Sequence, residues 1–412
     1  MKSGILVSHP FGNANVRQAA LAFAETDCLA GFRTCISWPE NSPLAAFLPA
    51  PVLSQLERRT FPSKVAAKTR TQPFRELARL VSTRLGWNQW IAHESGPFSV
   101  DAVSQSLDAS VAKELRHSST PPAGIYAYED GAAASFAAAK ERNIKCLYDL
   151  PIGYWKASRA IQIEEAELQP EWAGTLTAII DSEQKVARKD AELAAADAII
   201  VASQFTARTL TDHSFDAKKI CIIPYGCPAP EREPTPRHDG PLRILFVGSL
   251  GQRKGTSYLL SAVEQLGKHA TLTLLGSRPV GPCAPLDRAL QTHRWVPSLA
   301  HGEVLQEMRQ HDVLVFPSLF EGFGLVITEA LSQGIPIITT RNTAGPDLLT
   351  EGEDGYVVPI RDAAALEEKL ALLLSNPEHL QSMKAAALRK AKLFTWERYR
   401  STLVEQVSRI LP

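Results

Sequence analysis

Hydrophobic residues in the second half of the chain come in short unbroken runs, not in alternation with polar ones. RILFVG (243–248), TLTLLG (271–276), DVLVFPS (312–318) and IPIITT (335–340) each read as a strand apolar on both sides. Such strands need cover on both faces. Between them the spacing of apolar positions becomes helical, in SYLLSAVEQL (257–266), HGEVLQEMRQ (301–310) and GLVITEALSQG (324–334), the last with Gly334 placed to cap its C-terminus. Strand alternating with helix predicts a parallel sheet flanked by helices. The first half follows the same pattern less cleanly. Strands are expected at ILVS (5–8), GIYAYE (124–129), IKCLYDL (144–150), AIIVAS (198–203) and KICIIPYG (219–226). Helices are expected at VRQAALAFAET (16–26), AAASFAAAKERN (132–143) and SEQKVARKDAELAAAD (182–197).

Between the halves, CPAPEREPTPRHDGP (227–241) holds five prolines in fifteen residues and has no periodicity, so it reads as a linker. The expected architecture is α/β, with two doubly wound domains, 1–226 and 242–390, facing a deep cleft. Open parallel sheets bind ligands beyond the carboxyl ends of their strands, which would turn both sets of loops into that cleft. Two stretches depart from the pattern. Residues 40–100, rich in Pro, Arg and Trp, read as an inserted helical region. Its 57–84 part carries Arg58, Arg59, Lys64, Lys68, Arg70, Arg75, Arg79 and Arg84 against Glu57 and Glu76, an excess of six positive charges. That is either a solvated face or a contact with an anionic acceptor or membrane surface. Residues 391–412, containing LFTWERYRSTLVEQVSRIL (393–411), read as a terminal helix packing back on the first domain.

Bulk properties narrow the function classes. At 412 residues the chain is long enough for two domains. Lys+Arg and Asp+Glu balance at 44 each, which argues against a nucleic-acid binder. The six cysteines form no C-x-x-C pair and no zinc spacing, and read as reduced thiols of a cytoplasmic protein. Gly4–Val7 is a four-residue apolar core, a strand and not a signal peptide. No apolar run reaches the length of a membrane span, so any membrane contact would be peripheral, on the inner face.

Three constellations carry chemistry. In FPSLFEGFGLVITEALSQGIP (316–336), Glu321 and Glu329 have seven residues between them, including a Gly-Phe-Gly turn. Two carboxylates so placed suit a hydrolytic pair, a metal site, a sugar clamp or plain surface. The following helix start would offer free N–H groups to an anion such as a diphosphate. FVGSLGQRKG (246–255) sets Arg253 and Lys254 at a strand end beside glycine, an arrangement suited to neighbouring phosphates. HPFGNANVR (9–17) is neither a dinucleotide fingerprint nor a phosphate loop, but Gly12 and Asn13 could turn N–H groups toward a ligand. His9 alone reads as structural.

Glu321-Gly-Phe-Gly-Leu-Val-Ile-Thr-Glu329, with FVGSLGQRKGTSYLL before it and GIPIITT and GYVVP after it, resembles the family 4 glycosyltransferases. The resemblance covers the second domain and reaches back through ADAIIVASQF (196–205) and IIPYG (222–226). It implies the GT-B fold, two Rossmann-like domains facing a cleft, and retaining transfer of a sugar from a nucleotide-diphosphate sugar to a glycan, lipid or small-molecule acceptor. It implies further that Glu321 binds sugar hydroxyls near the reacting carbon and Glu329 the ribose hydroxyls. The backbone of Gly322, Phe323, Gly324 and Leu325 would contact sugar and phosphate, with Gly248 and Ser249 beside them. Arg253 and Lys254 would stabilise the leaving diphosphate, and Ser277 and Arg278 would meet the base. No cofactor is implied beyond the donor. No metal is implied either, and no Asp-x-Asp is present. Two departures stand out. Ser249 occupies a place where many relatives carry arginine, and LYDLPIGYW (147–155) lacks the histidine many relatives place near the sugar. Tyr148, Asp149, Tyr154 and Trp155 in that stretch, with EEAELQPEW (164–172), are expected on the acceptor side. A nucleotide-sugar epimerase of the same fold and a non-catalytic sugar-nucleotide binder are the alternative readings.

Overall fold

The computed structural model describes residues 4–40, 42, 53, 56–231, 233–236 and 240–411. Its first sheet contains β1 (Ile5–Ser8), β2 (Leu29–Thr34), β3 (Thr69–Thr71), β4 (Gly124–Tyr128), β5 (Lys145–Leu150), β6 (Ala198–Val201) and β7 (Ile220–Ile222). They run parallel in the order β3-β2-β1-β4-β5-β6-β7. The second sheet contains β8 (Leu242–Val247), β9 (Ala270–Leu275), β10 (Arg294–Val296), β11 (Val313–Phe316), β12 (Ile337–Thr340) and β13 (Gly355–Val358). These too are parallel, in the order β10-β9-β8-β11-β12-β13. The unbroken apolar runs are therefore the central strands, buried on both faces.

In each sheet the chain order reverses once, between β1 and β4 and between β8 and β11. Ligands of doubly wound folds sit in the crevice at this reversal. Val313 pairs with Ile244 and Leu314 with Leu245, so the carboxyl ends of β8 and β11 lie side by side. That adjacency brings the Arg253–Lys254 turn, which follows β8, next to the Glu321 loop, which follows β11.

The strands missed from the sequence, β2, β3, β10 and β13, all lie at or next to a sheet edge. β3 is an exposed edge strand, and edge strands need no apolar face. Its presence corrects the reading of residues 40–100 as a helical insertion. Helices form at Ser63–Ala66 and Phe74–Arg84, but Thr69–Thr71 extends the first sheet, with Phe32 opposite Thr69. Positions 41, 43–52, 54 and 55 of that stretch lie outside the described residues, as do 232 and 237–239 of the linker.

The two halves are tied together. Glu165 comes from the helix Trp155–Leu168 of the first half and is fully buried. It accepts hydrogen bonds from Gln252 Nε2 (2.7 Å), Tyr258 OH (2.9 Å) and Arg361 Nε (2.7 Å) of the second half. The segment 164–172, expected beside the acceptor, instead forms this tie: Trp172 packs into the core under the second sheet. The last helix, Trp396–Ile410, lies on the first helix, Ala14–Glu25, where Arg400 meets Glu25 at 2.8 Å and Gln18 at 2.7 Å.

Removing one partner of a buried, hydrogen-bonded ion pair is costly, because the other charge stays buried. Arg361 keeps Glu164 at 2.7 Å, but Gln252 and Tyr258 lose their acceptor, so Glu165→Ala is expected to lower stability by about 2 kcal/mol, read as a drop in the denaturant midpoint. An unchanged midpoint would show that Glu165 does not hold the halves together.

Candidate functional site

The loop after β8 is shaped by glycine. Gly255 sits at φ +71°, and a Cβ there would run into the Pro317 carbonyl oxygen after β11. Only glycine lets the two loops approach this closely. Arg253 and Lys254 lie in the turn just before it, and the helix Thr256–Leu266 just after. The Arg253 carbonyl accepts from Leu319 N (2.9 Å), and Arg253 Nη1 donates to the Phe320 carbonyl (2.7 Å). The cations are thus fixed to the loop that carries Glu321.

Glu321 accepts from Lys254 Nζ and lies 3.4 Å from Arg253 Nη1 on the same carboxylate oxygen, Oε2. Its other oxygen accepts from Gly322 N at 3.3 Å. The side chains of Glu321 and Lys254 are only 14% and 12% exposed. Burial by itself would raise the Glu321 carboxyl pKa. Lys254 and Arg253 overcome it and hold the pKa down at about 2. Burial draws the Lys254 ammonium below its ordinary value against the pull of Glu321, and the ammonium also lies 4.7 Å from the Phe316 ring centroid.

Three cavities meet at these cations. One of about 320 Å³ is lined by Lys254, Glu321, Gly248, Phe323, Gly324 and Leu325, and by Asn15 and Tyr225 of the first half. Leu325 opens the helix Leu325–Ser332, so the unpaired N–H groups of that helix start border this cavity. A second, of about 540 Å³, is lined by Arg253, Lys254, Ser249, Ser277 and Arg278 and roofed by Gly174 and Thr175. A third, of about 810 Å³, reaches from Arg253 into the first half, past Trp155 and Ile152 to Glu129, Lys185 and Lys189.

The structure gathers most of the predicted residues and separates some. Arg253, Lys254, Glu321, Gly248, Ser249, Phe323, Gly324, Leu325, Ser277 and Arg278 border the first two cavities. Gly322 does not line them. It faces the Pro151 carbonyl closely, and its own carbonyl accepts from Ser203 Oγ and from Thr206 Oγ1 (3.1 Å), so it docks the loop on the first half. Glu329 is also outside the cavity linings, bonded to His301 Nε2 at 2.8 Å. Gly12 and Asn13 are likewise not cavity residues. The loop N–H groups of Phe11 and Gly12 are taken by His9 Nδ1 (3.0 and 2.9 Å), whose ring burial holds neutral with a pKa of about 3.

On the acceptor side only Trp155 lines a cavity. Tyr148 is wholly buried against Glu192 (2.9 Å), and Tyr154 is spent on Asp190 (2.7 Å) and on the rings of His213 and Phe215. Asp149 is buried behind Tyr225, accepting from Tyr126 OH at 2.6 Å, and burial lifts its pKa to about 7. Strand alternation explains the pair: successive side chains on β5 point to opposite faces of the sheet, and both faces are covered.

Sequence reasoning missed Asn15, Tyr225, Glu129, Lys185 and Lys189. Glu129 was legible in part, as the residue that ends the run 124–129 at a strand's carboxyl end. It stands 3.4 Å from Lys189, and burial raises its pKa.

The Glu321 cluster has a pH signature. Its pKa falls from 4.5 to about 2 on folding, so the cluster contributes stability above pH 4.5. That contribution drains away as pH falls from 4.5 toward 2. Glu321→Gln should flatten the acid limb of the stability–pH curve measured by chemical denaturation. Equal slopes for both proteins would contradict an ionised Glu321.

Known proteins resemble this chain in part of its sequence and in its fold. Residues 229–390 match the family model Glycosyl transferases group 1. Glycogen synthase of Mycobacterium tuberculosis is 31% identical over 166 residues, 38% of this chain and 40% of that one. MMP alpha-(1->4)-mannosyltransferase of Mycolicibacterium hassiacum is 26% identical over 230 residues, 53% of this chain and 54% of that one. The chain thus matches about half or less of these relatives' length. Sucrose-phosphate synthase from Thermosynechococcus elongatus superposes over 99% of both chains with TM-score 0.65 at 18% identity. Anabaena HepE, solved in complex with UDP-glucose, covers 99% of this chain and 100% of its own with TM-score 0.64 at 14% identity. At such identities these two likenesses concern the fold. Residues 229–390 are thus similar to the glycosyl transferases group 1 family, and the chain as a whole has the two-sheet GT-B fold of these solved structures.

Proposed function

We propose that the chain is a retaining glycosyltransferase that moves a sugar from a nucleoside diphosphate sugar to an acceptor held by its first half. Residues 242–390 form the donor domain in this reading and residues 1–226 the acceptor domain. The observation that carries it is the convergence of Arg253, Lys254 and Glu321 at the β8/β11 reversal, beside the start of the helix Leu325–Ser332. A glycosidase needs two carboxyl groups flanking one bond, and Glu329 stands outside the cavity that Glu321 lines, so the two cations have no hydrolytic pair to serve. A diphosphate uses them: negative charge grows on it as it leaves, and fixed cations in a site with little water are the strongest way to stabilise that charge.

The diphosphate lies between Arg253, Lys254 and Ser249, and Glu321 then turns its freed oxygens to sugar hydroxyls. Ser277 and Arg278 border the base. Glu329 takes the ribose hydroxyls when its bond to His301 opens. The sugar C1–O bond breaks with its electron pair going to the diphosphate. The acceptor oxygen bonds C1 on the same face, and its proton passes to the leaving phosphate oxygen. The cavity running from Arg253 to Glu129, with the Trp155 ring as one wall, gives an acceptor room beside the donor, which an epimerase does not need. The UDP-glucose complex of Anabaena HepE supports beginning with uridine donors.

Incubation with UDP-, GDP- and ADP-sugars and acceptor mixtures, followed by product NMR, tests this. Glu321→Ala and Lys254→Ala should each lower turnover by about 10²–10³-fold. Undiminished turnover in either variant would remove the assigned roles, and donor binding without any turnover would favour a binding protein. Because Arg253 and Lys254 supply the positive charge, turnover should persist in EDTA. Loss of activity that magnesium restores would contradict metal-independent transfer.

A further inference from the structure

The helix Phe74–Arg84 is inside out. Its carboxylate, Glu76, is fully buried between Arg59 (2.6 Å) and Arg79 (2.6 Å). Leu80 packs inward on Cys35, Ile36 and Val103, but four apolar side chains face outward: Phe74 is 73% exposed and Val81 51%, with Leu77 and Leu85 close to half exposed. Positions 74, 77, 81 and 85 recur at helical spacing and so form one continuous stripe. The stripe continues into an aromatic group. Phe74 meets Phe98 at 6.2 Å, Phe98 stacks on Trp90 at 5.6 Å, and Trp90 touches Trp87 at 5.8 Å; both tryptophans are exposed. From there Asn88 and Ile91 form part of the wall of the cavity that runs from Arg253 to Glu129. A contiguous exposed apolar patch of this kind marks an interaction surface.

We propose that this surface docks the protein on an anionic phospholipid bilayer, with the mouth of the cleft turned toward the headgroups. Charge points to this occupant. Arg84, three residues after Val81 and seven after Leu77, stands on the stripe's own face, and Arg75 bonds the Pro97 carbonyl beside Phe98. Arg58 and Lys64 are exposed as well, and Glu57 is the one exposed acid between 57 and 84, since Glu76 is neutralised within the fold. An apolar stripe edged by cations and exposed tryptophans fits the interface of a negatively charged membrane. A second copy of the same surface would set cations against cations. No helix among the described residues is long and apolar enough to cross a membrane, so the contact is peripheral. On the transferase reading the consequence is an acceptor presented from the bilayer, a lipid-linked hydroxyl entering between Ile91 and Trp155. The docking itself does not depend on that reading.

Flotation of the full chain with vesicles of phosphatidylcholine, alone or mixed with phosphatidylglycerol, tests the docking without any donor present. Binding should require the anionic lipid and weaken with salt. It should fall about tenfold or more in Lys64→Glu/Arg84→Glu, at about 1 kcal/mol per neutralised cation and more on reversal. Leu77→Glu/Val81→Glu should abolish it. All four positions are exposed, so unfolding midpoints and donor turnover in solution should stay at the parent values, which separates a failure of docking from a failure of the transferase reading. The proposal is overturned if neither vesicle floats the protein, or if flotation survives both double substitutions. It is also overturned if sedimentation shows a dimer that Leu77→Glu/Val81→Glu dissolves. Loss of flotation only on deletion of the apolar segment PLAAFLPAPV (43–52) would equally transfer the role away from this helix.

Discussion

A carboxylate buried against two cations is the constraint on which this site is built. Glu321, Lys254 and Arg253 come from loops far apart in sequence, and each alone would be a poorly solvated charge. Together they satisfy one another, and burial strengthens the attraction by excluding water. The arrangement depends on β8 and β11 being neighbours and on the left-handed turn at Gly255, which lets one loop touch the other's backbone. A parallel sheet with a single reversal of strand order provides the first condition and a glycine the second.

The same loop also belongs to the interface between the halves. Gly322 rests on Pro151, and its carbonyl is held by Ser203 and Thr206. On the opposite side Glu165 of the first half gathers Gln252, Tyr258 and Arg361. Gln252 is the residue just before Arg253, so the tie between the halves and the cationic turn share one short segment. Any opening of the cleft must therefore be felt at the cations. This links the relative position of the halves to the geometry that the proposed transfer requires.

The first half uses its charges differently. Glu76 is buried with Arg59 and Arg79, while Lys185 and Lys189 balance Asp101, Asp181 and Glu129 below the cleft. Polar groups satisfied inside the fold leave Phe74, Leu77 and Val81 on the outside. The excess of cations seen between 57 and 84 is thus divided: Arg59 and Arg79 are structural, and Arg58, Lys64 and Arg84 are surface charge.

Sequence alone was sufficient for the α/β architecture, the central strands, and the grouping of Arg253, Lys254 and Glu321. Unbroken apolar runs have a single stable destination, a sheet covered on both faces, and glycine beside a cation at a strand end has few local conformations. The edge strand Thr69–Thr71 left no trace, because its hydrogen bonds come from a neighbour and not from its own side chains. Nor could sequence tell which of two adjacent residues meets the cleft. Asp149 lies behind Tyr225 and Tyr148 against Glu192, Gly12 is turned away by its bond to His9, and Glu129 stands forward. Those outcomes were decided by tertiary packing, since a side chain's direction on a strand is local, but what it points at belongs to a distant part of the chain.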